Sequence, residues 1–106
     1  MGFFDFFRQP DIQEGLRQCQ AAHGAVLLDV RTPEEYGQGR IPGSRNLPLG
    51  ELERAAEVVP DCSTPLFVYC LSGARSSRAA ALLRRMGYET VTNIGGISGY
   101  QGKVER

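Results

Sequence analysis

One stretch of the sequence, from residue 66 to residue 94, limits the fold more than any other. Leu66–Tyr69 is a short apolar run of strand length, Ser76–Met86 repeats its apolar residues at helical spacing, and Tyr88–Ile94 is a second strand-like run. A strand, a helix and a strand at this spacing form a βαβ unit, in which the strands are parallel and the crossover is right-handed. The sequence therefore predicts an α/β fold on a parallel sheet.

The remainder of the chain adds elements of the same kind. Asp11 is placed to cap a first helix, and Ala25–Val30 is an apolar run that suits a buried parallel strand. Thr32, followed by Pro33 and by Glu35 three residues on, predicts a second helix that begins with a capping box. The residues expected to face the core from three helices are Ile12, Leu16, Cys19 and Ala22, then Leu49, Leu52, Ala56 and Val59 of a helix over 49–59, then Ala79, Leu82, Leu83 and Met86.

The length and charge of the chain restrict its organisation and its partners. With 106 residues it can bury one core, so we expect one domain over residues 11–106, preceded by a phenylalanine-rich segment over residues 1–10. Twelve basic residues balance twelve acidic ones, which argues against a nucleic acid or a membrane as partner. The N-terminus lacks the basic start and long apolar run of a signal peptide, so we expect a cytoplasmic protein.

The three cysteines do not follow a metal-binding pattern. Cys19, Cys62 and Cys70 lack the spacing of zinc ligands, and His23 is the only histidine. We therefore expect no metal, and free thiols as in a reducing compartment. Cys19 falls on the core side of the first helix and Cys62 lies in a polar loop, so neither is assigned a function.

Cys70 lies where a parallel sheet places its chemistry. It ends a predicted strand and opens a short loop before a helix, and ligands of open α/β sheets bind beyond the carboxyl ends of the strands. Gly73 permits a turn that aims successive amide N–H groups into one concavity, and the helix N-terminus adds positive charge. We expect the pKa of the Cys70 thiol to be lowered, because these groups stabilise the thiolate.

The loop is predicted to hold an anionic sulfur. Its amides, the guanidinium of Arg75 and the hydroxyls of Ser72, Ser76 and Ser77 supply the hydrogen-bond donors. Arg75 carries the loop's only full positive charge, so we expect it to bind the anion. The predicted site consists of the nucleophile Cys70 and the binding residues Leu71, Ser72, Gly73, Ala74, Arg75 and Ser76.

Four segments together resemble the rhodanese family. Cys70–Ser76 is similar to the family's active-site loop, Cys-x-x-Gly-x-Arg-Ser. Asp29–Arg31 resembles its Asp-x-Arg, Gly39–Asn46 its Gly-His-Ile-Pro-Gly-Ala-x-Asn loop, and Gly95–Tyr100 its closing Gly-Gly-x-x-x-Trp. The resemblance extends over about residues 11–101, with the segments in the family's order.

This resemblance implies a small three-layer α/β domain, with helices on both faces of a parallel sheet, and a sulfurtransferase activity that needs no cofactor. The Cys70 thiolate would attack the outer sulfur of a donor such as thiosulfate, and the resulting persulfide would pass its sulfur to cyanide or to a thiol. Asp29 and Arg31 are interpreted as a structural brace near the site, and Gly96 as a position that permits close backbone approach.

Two residues depart from the family pattern. Arg40 replaces the usual histidine and Tyr100 replaces the usual tryptophan. Both lie outside the loop of Cys70, so they bear on substrate preference and packing more than on the chemistry. The tail after Tyr100 is short, and we expect it to leave that side of the domain open.

Two other functions fit parts of the pattern. Cysteine phosphatases and arsenate reductases carry a loop of the pattern Cys-x5-Arg, in which five residues separate the two. In this chain four residues separate Cys70 from Arg75. A shorter loop gives a smaller cradle, which favours a single sulfur over a tetrahedral oxyanion. A rhodanese-like regulatory or binding module commonly lacks the cysteine, which this chain retains.

Overall fold

A four-stranded parallel sheet forms the centre of the molecule. The computed structural model describes residues 10–106, so the phenylalanine-rich segment lies outside the described residues except for Pro10. The strands are β1 (Val26–Asp29), β2 (Arg45–Asn46), β3 (Leu66–Cys70) and β4 (Val91–Gly96), in the spatial order β2-β1-β3-β4. The predicted α/β fold on a parallel sheet is confirmed.

Helices cover both faces of this sheet. They are α1 (Ile12–Ala21), α2 (Pro33–Gln38), α3 (Ala55–Val58) and α4 (Ala74–Arg85), with short 3₁₀ helices at Leu49–Arg54 and Ile97–Gly99. A buried cluster around Leu28 and Leu83 joins one face to α4 and to the segment containing α3. A second cluster, around Ile12, Phe67 and Ile94, joins the other face to α1. The predicted three-layer arrangement is confirmed. Across residues 10–106 no helix is both long enough and apolar enough to cross a membrane.

Capping bonds fix the helix starts that the sequence predicts. The Thr32 hydroxyl accepts from the Glu35 amide at 3.2 Å, and the Glu35 carboxylate accepts from the Thr32 amide at 3.0 Å. Asp11 likewise accepts from the amide of Gln13 at the start of α1. Each bond pairs an amide that a helix start would otherwise leave without a partner.

The helix predicted over residues 49–59 is wrong in its geometry. It is a 3₁₀ helix that continues into α3, with non-helical backbone angles at Glu51. A 3₁₀ helix has three residues per turn instead of 3.6, so the pattern of inward residues shifts. As a result Ala55 is buried, whereas Ala56, which we expected in the core, is exposed.

The face that α4 presents to the sheet is also rotated from the prediction. Leu82 and Met86 are 38% and 42% exposed, whereas Ala79, Ala80 and Leu83 are buried. The two small alanine side chains occupy the contact with the sheet, so the longer side chains at 82 and 86 fall at its edge. The helix also begins two residues earlier than expected, at Ala74.

The strands at the sheet edges differ from their predicted limits. β2 lies inside the segment predicted to be a loop, and its two residues, Arg45 and Asn46, lack the apolar pattern that would have indicated a strand. β4 begins three residues later than expected. Tyr88, expected in that strand, instead buries its ring in the core and donates its hydroxyl to the Val59 carbonyl at 2.7 Å.

The C-terminal tail pairs with the segment that follows α2, beside the side of the domain that we expected to be open. Arg40 and Glu105 exchange backbone hydrogen bonds of 2.9 and 2.8 Å, and their side chains form an ion pair of 3.3 Å. The Tyr100 ring packs on the cluster beside α1, and its hydroxyl donates to the Lys103 carbonyl at 3.1 Å. Backbone pairing, which side-chain patterns do not reveal, thus holds the tail, while a cleft of about 450 Å³ lies between Tyr100 and α1.

Candidate active site

The sulfur of Cys70 lies inside the turn that connects β3 to α4. The Gly73 amide donates to it at 3.0 Å and the Ser76 amide at 3.3 Å. Gly73 has a φ of +105°, which glycine adopts without strain and which closes the turn around the sulfur. The N-cap residue of α4 is Gly73, which has no side chain to accept a hydrogen bond. The Cys70 sulfur takes that part, because it accepts from the amide of Ser76 in the first turn of α4.

The pKa of Cys70 is lowered from that of an ordinary thiol. Burial alone would raise it, because a thiolate loses solvation inside the protein. The hydroxyl and amide of Ser76 and the amides of Gly73 and Ser72 together outweigh burial, since each stabilises the charged form. This arrangement favours reaction of Cys70 as a thiolate nucleophile.

Cys70 itself is nearly covered, whereas part of its loop faces solvent. Cys70 is 1% exposed and Leu71 is 47% exposed, and Ser72 and Ala74 are also exposed. Beside the loop, a cleft of about 300 Å³ is lined by Ser72 together with residues of two other segments. Those residues are Pro10, Asp11, Ile12, Gln13, Gly95, Gly96, Ser98 and Gly99. The described loop thus offers backbone donors to the sulfur and presents side chains outward.

Ser76 is fully buried, and its hydroxyl lies among four polar atoms. The oxygen is 3.4 Å from the Cys70 sulfur, 3.1 Å from the Gly73 carbonyl and 3.3 Å from the Gly95 carbonyl. Its shortest contact, 2.7 Å, is with the side-chain oxygen of Asn93 on β4. The sequence motifs do not include Asn93. Its strand also contains Thr92, so the residue pattern of β4 did not distinguish Asn93 as a neighbour of the site.

Arg75 is bound to Glu35 at the start of α2. Its Nη1 and Nη2 donate to Oε1 and Oε2 of that carboxylate at 2.7 and 3.0 Å. The pKa of Glu35 falls to about 2, chiefly because of the hydrogen bond from Arg75, while burial opposes the shift and Thr32 adds to it. The guanidinium that we expected to bind the anion is therefore half of an ion pair with Glu35.

Asp29 and Arg31 form a buried pair at the end of β1. Oδ2 of Asp29 accepts from Nη2 of Arg31 at 2.6 Å, and the same Nη2 donates to the Gly39 carbonyl at 2.7 Å. The side-chain amide of Asn46 donates to the carbonyls of Asp29 and Arg31 at 3.0 and 2.9 Å. The pair ties the end of β1 to the following loop, which supports its interpretation as a brace.

Gly96 brings β4 into contact with the loop of Cys70. A Cβ at this position would lie 2.2 Å from the Leu71 carbonyl oxygen and 2.6 Å from the Ser72 Cα. Both atoms belong to the backbone and cannot turn aside. The amide of Ser98 donates to the same Leu71 carbonyl at 3.1 Å, which fixes the loop against the end of β4.

Ser77 and the two other cysteines lie away from the Cys70 sulfur, and Cys19 and Cys62 lie where the sequence predicts them. Ser77 is exposed, although we expected its hydroxyl to supplement the loop amides as a donor to the sulfur. Cys19 packs on the cluster beside α1, and burial raises the pKa of its thiol. Cys62 is exposed in its loop.

The chain is similar in sequence and in structure to known proteins. The family model described as "Rhodanese-like domain" matches residues 11–103. Thiosulfate sulfurtransferase PspE of Escherichia coli is 45% identical over 71 residues, which are 66% of this chain and 68% of that protein. The Homo sapiens thiosulfate:glutathione sulfurtransferase is 34% identical over 94 residues, 76% of this chain and 82% of that protein. The solved structure "rhodanese with anions from E. coli" superposes with a TM-score of 0.72 and 38% identity, and covers 77% of this chain and 98% of its own.

Proposed function

The chain belongs to the rhodanese-like domain family, and we propose that it transfers sulfane sulfur through a persulfide on Cys70. Relatives named as sulfurtransferases support a sulfurtransferase in general, and the donor, the persulfide and the acceptor are our proposal. The observation that carries it is the pair of amides, from Gly73 and Ser76, that lie 3.0 and 3.3 Å from the Cys70 sulfur.

In the first half-reaction the Cys70 thiolate attacks the outer sulfur of thiosulfate. A sulfur–sulfur bond forms to Cys70 while the bond between the two donor sulfurs breaks, and sulfite leaves with the electron pair of that bond. A persulfide donor reacts in the same way and releases a thiolate. No proton has to move if Cys70 is already ionised, which its lowered pKa favours.

In the second half-reaction a nucleophile attacks the outer sulfur of the Cys70 persulfide. Cyanide leaves as thiocyanate, or a thiolate leaves as a new persulfide, and the electron pair of the broken bond returns to the Cys70 sulfur. The loop stabilises both anionic states, because its amides donate charge-assisted hydrogen bonds to sulfur. Neither half-reaction calls for a metal or an organic cofactor.

The proposal is tested by intact-mass spectrometry of the purified protein after treatment with thiosulfate. We expect one added sulfur atom, which cyanide removes as thiocyanate. Cys70→Ser should abolish the added mass and leave the circular dichroism spectrum unchanged, while the matched variant Cys62→Ser should load sulfur normally. Sulfur loading that persists in Cys70→Ser, or wild-type protein that loads none, would contradict the proposal. Hydrolysis of an aryl phosphate that depends on Cys70 would instead indicate a phosphatase.

A further inference from the structure

We infer that Glu35 sets the donor preference of the site by withholding the positive charge of Arg75 from the donor. With the two side chains paired, the loop favours an organic persulfide, whose transferred sulfur adjoins a neutral group, over the doubly charged thiosulfate. The inference rests on the proposed sulfur transfer at Cys70. It assigns to Glu35 a part in specificity that goes beyond capping α2.

The ion pair is anchored at the start of α2. Arg75 and Glu35 meet through two parallel hydrogen bonds, a geometry that fixes both planar groups. The same carboxylate accepts from the amide of Thr32 at 3.0 Å and lies 3.1 Å from its hydroxyl. The side chains of Arg75 and Glu35 are 35% and 28% exposed, so solvent screens the attraction between them only partly. A carboxylate fixed by the start of one helix therefore restrains an arginine on another.

Arg75 occupies a position where its charge matters to the reacting sulfur. It precedes Ser76, whose amide contacts the Cys70 sulfur, and it lies in the first turn of α4, which holds no acidic residue. A cation at a helix N-terminus is disfavoured by the helix dipole unless an anion accompanies it. Glu35 is that anion, and it leaves the pair with no net charge.

The two donors differ in how much they require a cation. Attack on thiosulfate brings a dianion to the Cys70 thiolate. The leaving group, sulfite, is also a dianion, so two negative charges remain beside the breaking sulfur–sulfur bond. Attack on an organic persulfide brings a monoanion, whose carbon-bound sulfur leaves as a thiolate. Because electrostatic repulsion is greater in the first case, a positive charge released at residue 75 should assist thiosulfate more than the persulfide.

Glu35→Gln isolates the charge of this carboxylate, because glutamine can also complete a capping box. Glu34→Gln is the matched control, since Glu34 is exposed on the same turn of α2 and the substitution removes the same charge. Steady-state kinetics are measured with thiosulfate and with the persulfide of β-mercaptoethanol as donors. Cyanide is the acceptor in both assays, so the second half-reaction is the same.

In Glu35→Gln we expect kcat/KM for thiosulfate to rise about tenfold, mainly through a lower KM and with a steeper dependence on salt. The value for the persulfide should change less than about threefold, and Glu34→Gln should leave both values near wild type. Arg75→Ala leaves the charge of Glu35 unpaired and should lower kcat/KM for thiosulfate about tenfold. The double variant removes both charges and should return close to wild type.

Two kinds of failure are distinguishable. Wild-type protein that gains no cyanide-removable sulfur on Cys70 from either donor overturns the proposed function, and this inference with it. Sulfur loading with an unchanged ratio of the two kcat/KM values in Glu35→Gln overturns the inference alone. A double variant whose kcat/KM for thiosulfate is as low as that of Arg75→Ala would also overturn the inference. That result would show that the effect of Arg75 does not depend on Glu35.

Discussion

Ser76 and Asn93 are joined by a hydrogen bond of 2.7 Å between the hydroxyl and the side-chain oxygen, although the same hydroxyl lies 3.4 Å from the sulfur of Cys70. A hydroxyl has one proton to donate. The side-chain oxygen of Asn93 and the thiolate of Cys70 compete for that proton, and its bond to sulfur lowers the pKa of Cys70, so the Ser76 hydroxyl connects the strand β4 to the ionisation of the nucleophile.

Ser76→Ala should therefore raise the pKa of Cys70, because the variant keeps the amide at 3.3 Å but loses the hydroxyl. The rate of alkylation of Cys70 by iodoacetamide, followed by peptide-resolved mass spectrometry against pH, should show its midpoint moved upward. Ser77→Ala, the same change at the exposed neighbouring residue, is the control and should not move it. An unchanged midpoint in Ser76→Ala would assign the lowered pKa to the amides alone.

The ion pair of Glu35 should make stability depend on acid. The pKa of Glu35 is about 2 in the folded protein, below its ordinary value of 4.5, so the folded state favours the charged form. The stabilisation is complete above about pH 5 and is lost as the pH falls towards 2. Urea unfolding should show Glu35→Gln less stable than wild type by about 1 kcal/mol or less near neutral pH, given the partial exposure of the pair. The difference should shrink at about pH 3. A difference that is constant with pH would contradict this assignment.

Gly96→Ala should destabilise the fold by about 1–3 kcal/mol, because the new methyl group would meet the backbone of Leu71 and Ser72. It should also slow sulfur loading, since the same backbone carries the donors of the loop. Gly37→Ala provides the contrast, as a Cβ there has no atom within 4 Å and the residue lies in α2. That variant should gain about 0.5–1 kcal/mol in the free energy of unfolding. Equal effects of the two substitutions would refute the close approach.

Removing one member of the buried pair at the end of β1 should be costly. Asp29→Leu leaves the guanidinium of Arg31, 5% exposed, without its carboxylate and should lower stability by about 3–5 kcal/mol. The double variant with Arg31→Met removes both charges and should recover much of that loss. Its folded fraction should still load sulfur, as expected for a brace. A double variant that folds but loads no sulfur would instead place the pair in the chemistry.

The groups around the sulfur could be predicted because they are local in sequence. Cys70, Gly73 and Ser76 lie within one turn and one helix start, where backbone geometry follows from residue type. Glu35 and Asn93, which are 40 residues from Arg75 and 17 from Ser76, could not be identified as partners, since only the packed sheet brings them together.

The elements of the fold differ in the same way: some have a recognisable side-chain pattern, and others are held mainly by backbone hydrogen bonds. The apolar runs that became β1 and β3 were clear, because strands buried on both faces are continuously apolar. The two residues of β2 and the pairing of Arg40 with Glu105 left no such trace. Both are held by main-chain hydrogen bonds at the edges of the domain, where side chains carry little information.

The contact between Gly96 and the Leu71 carbonyl also limits how this loop could be redesigned. A Cβ at 96 would lie 2.2 Å from that oxygen, so the turn has no spare room on the side of β4. A fifth residue between Cys70 and Arg75, the length typical of an oxyanion cradle, would have to be accommodated on the side where Leu71, Ser72 and Ala74 are exposed. A longer cradle would therefore grow towards solvent, while the contact with β4 keeps the other wall of the turn in place.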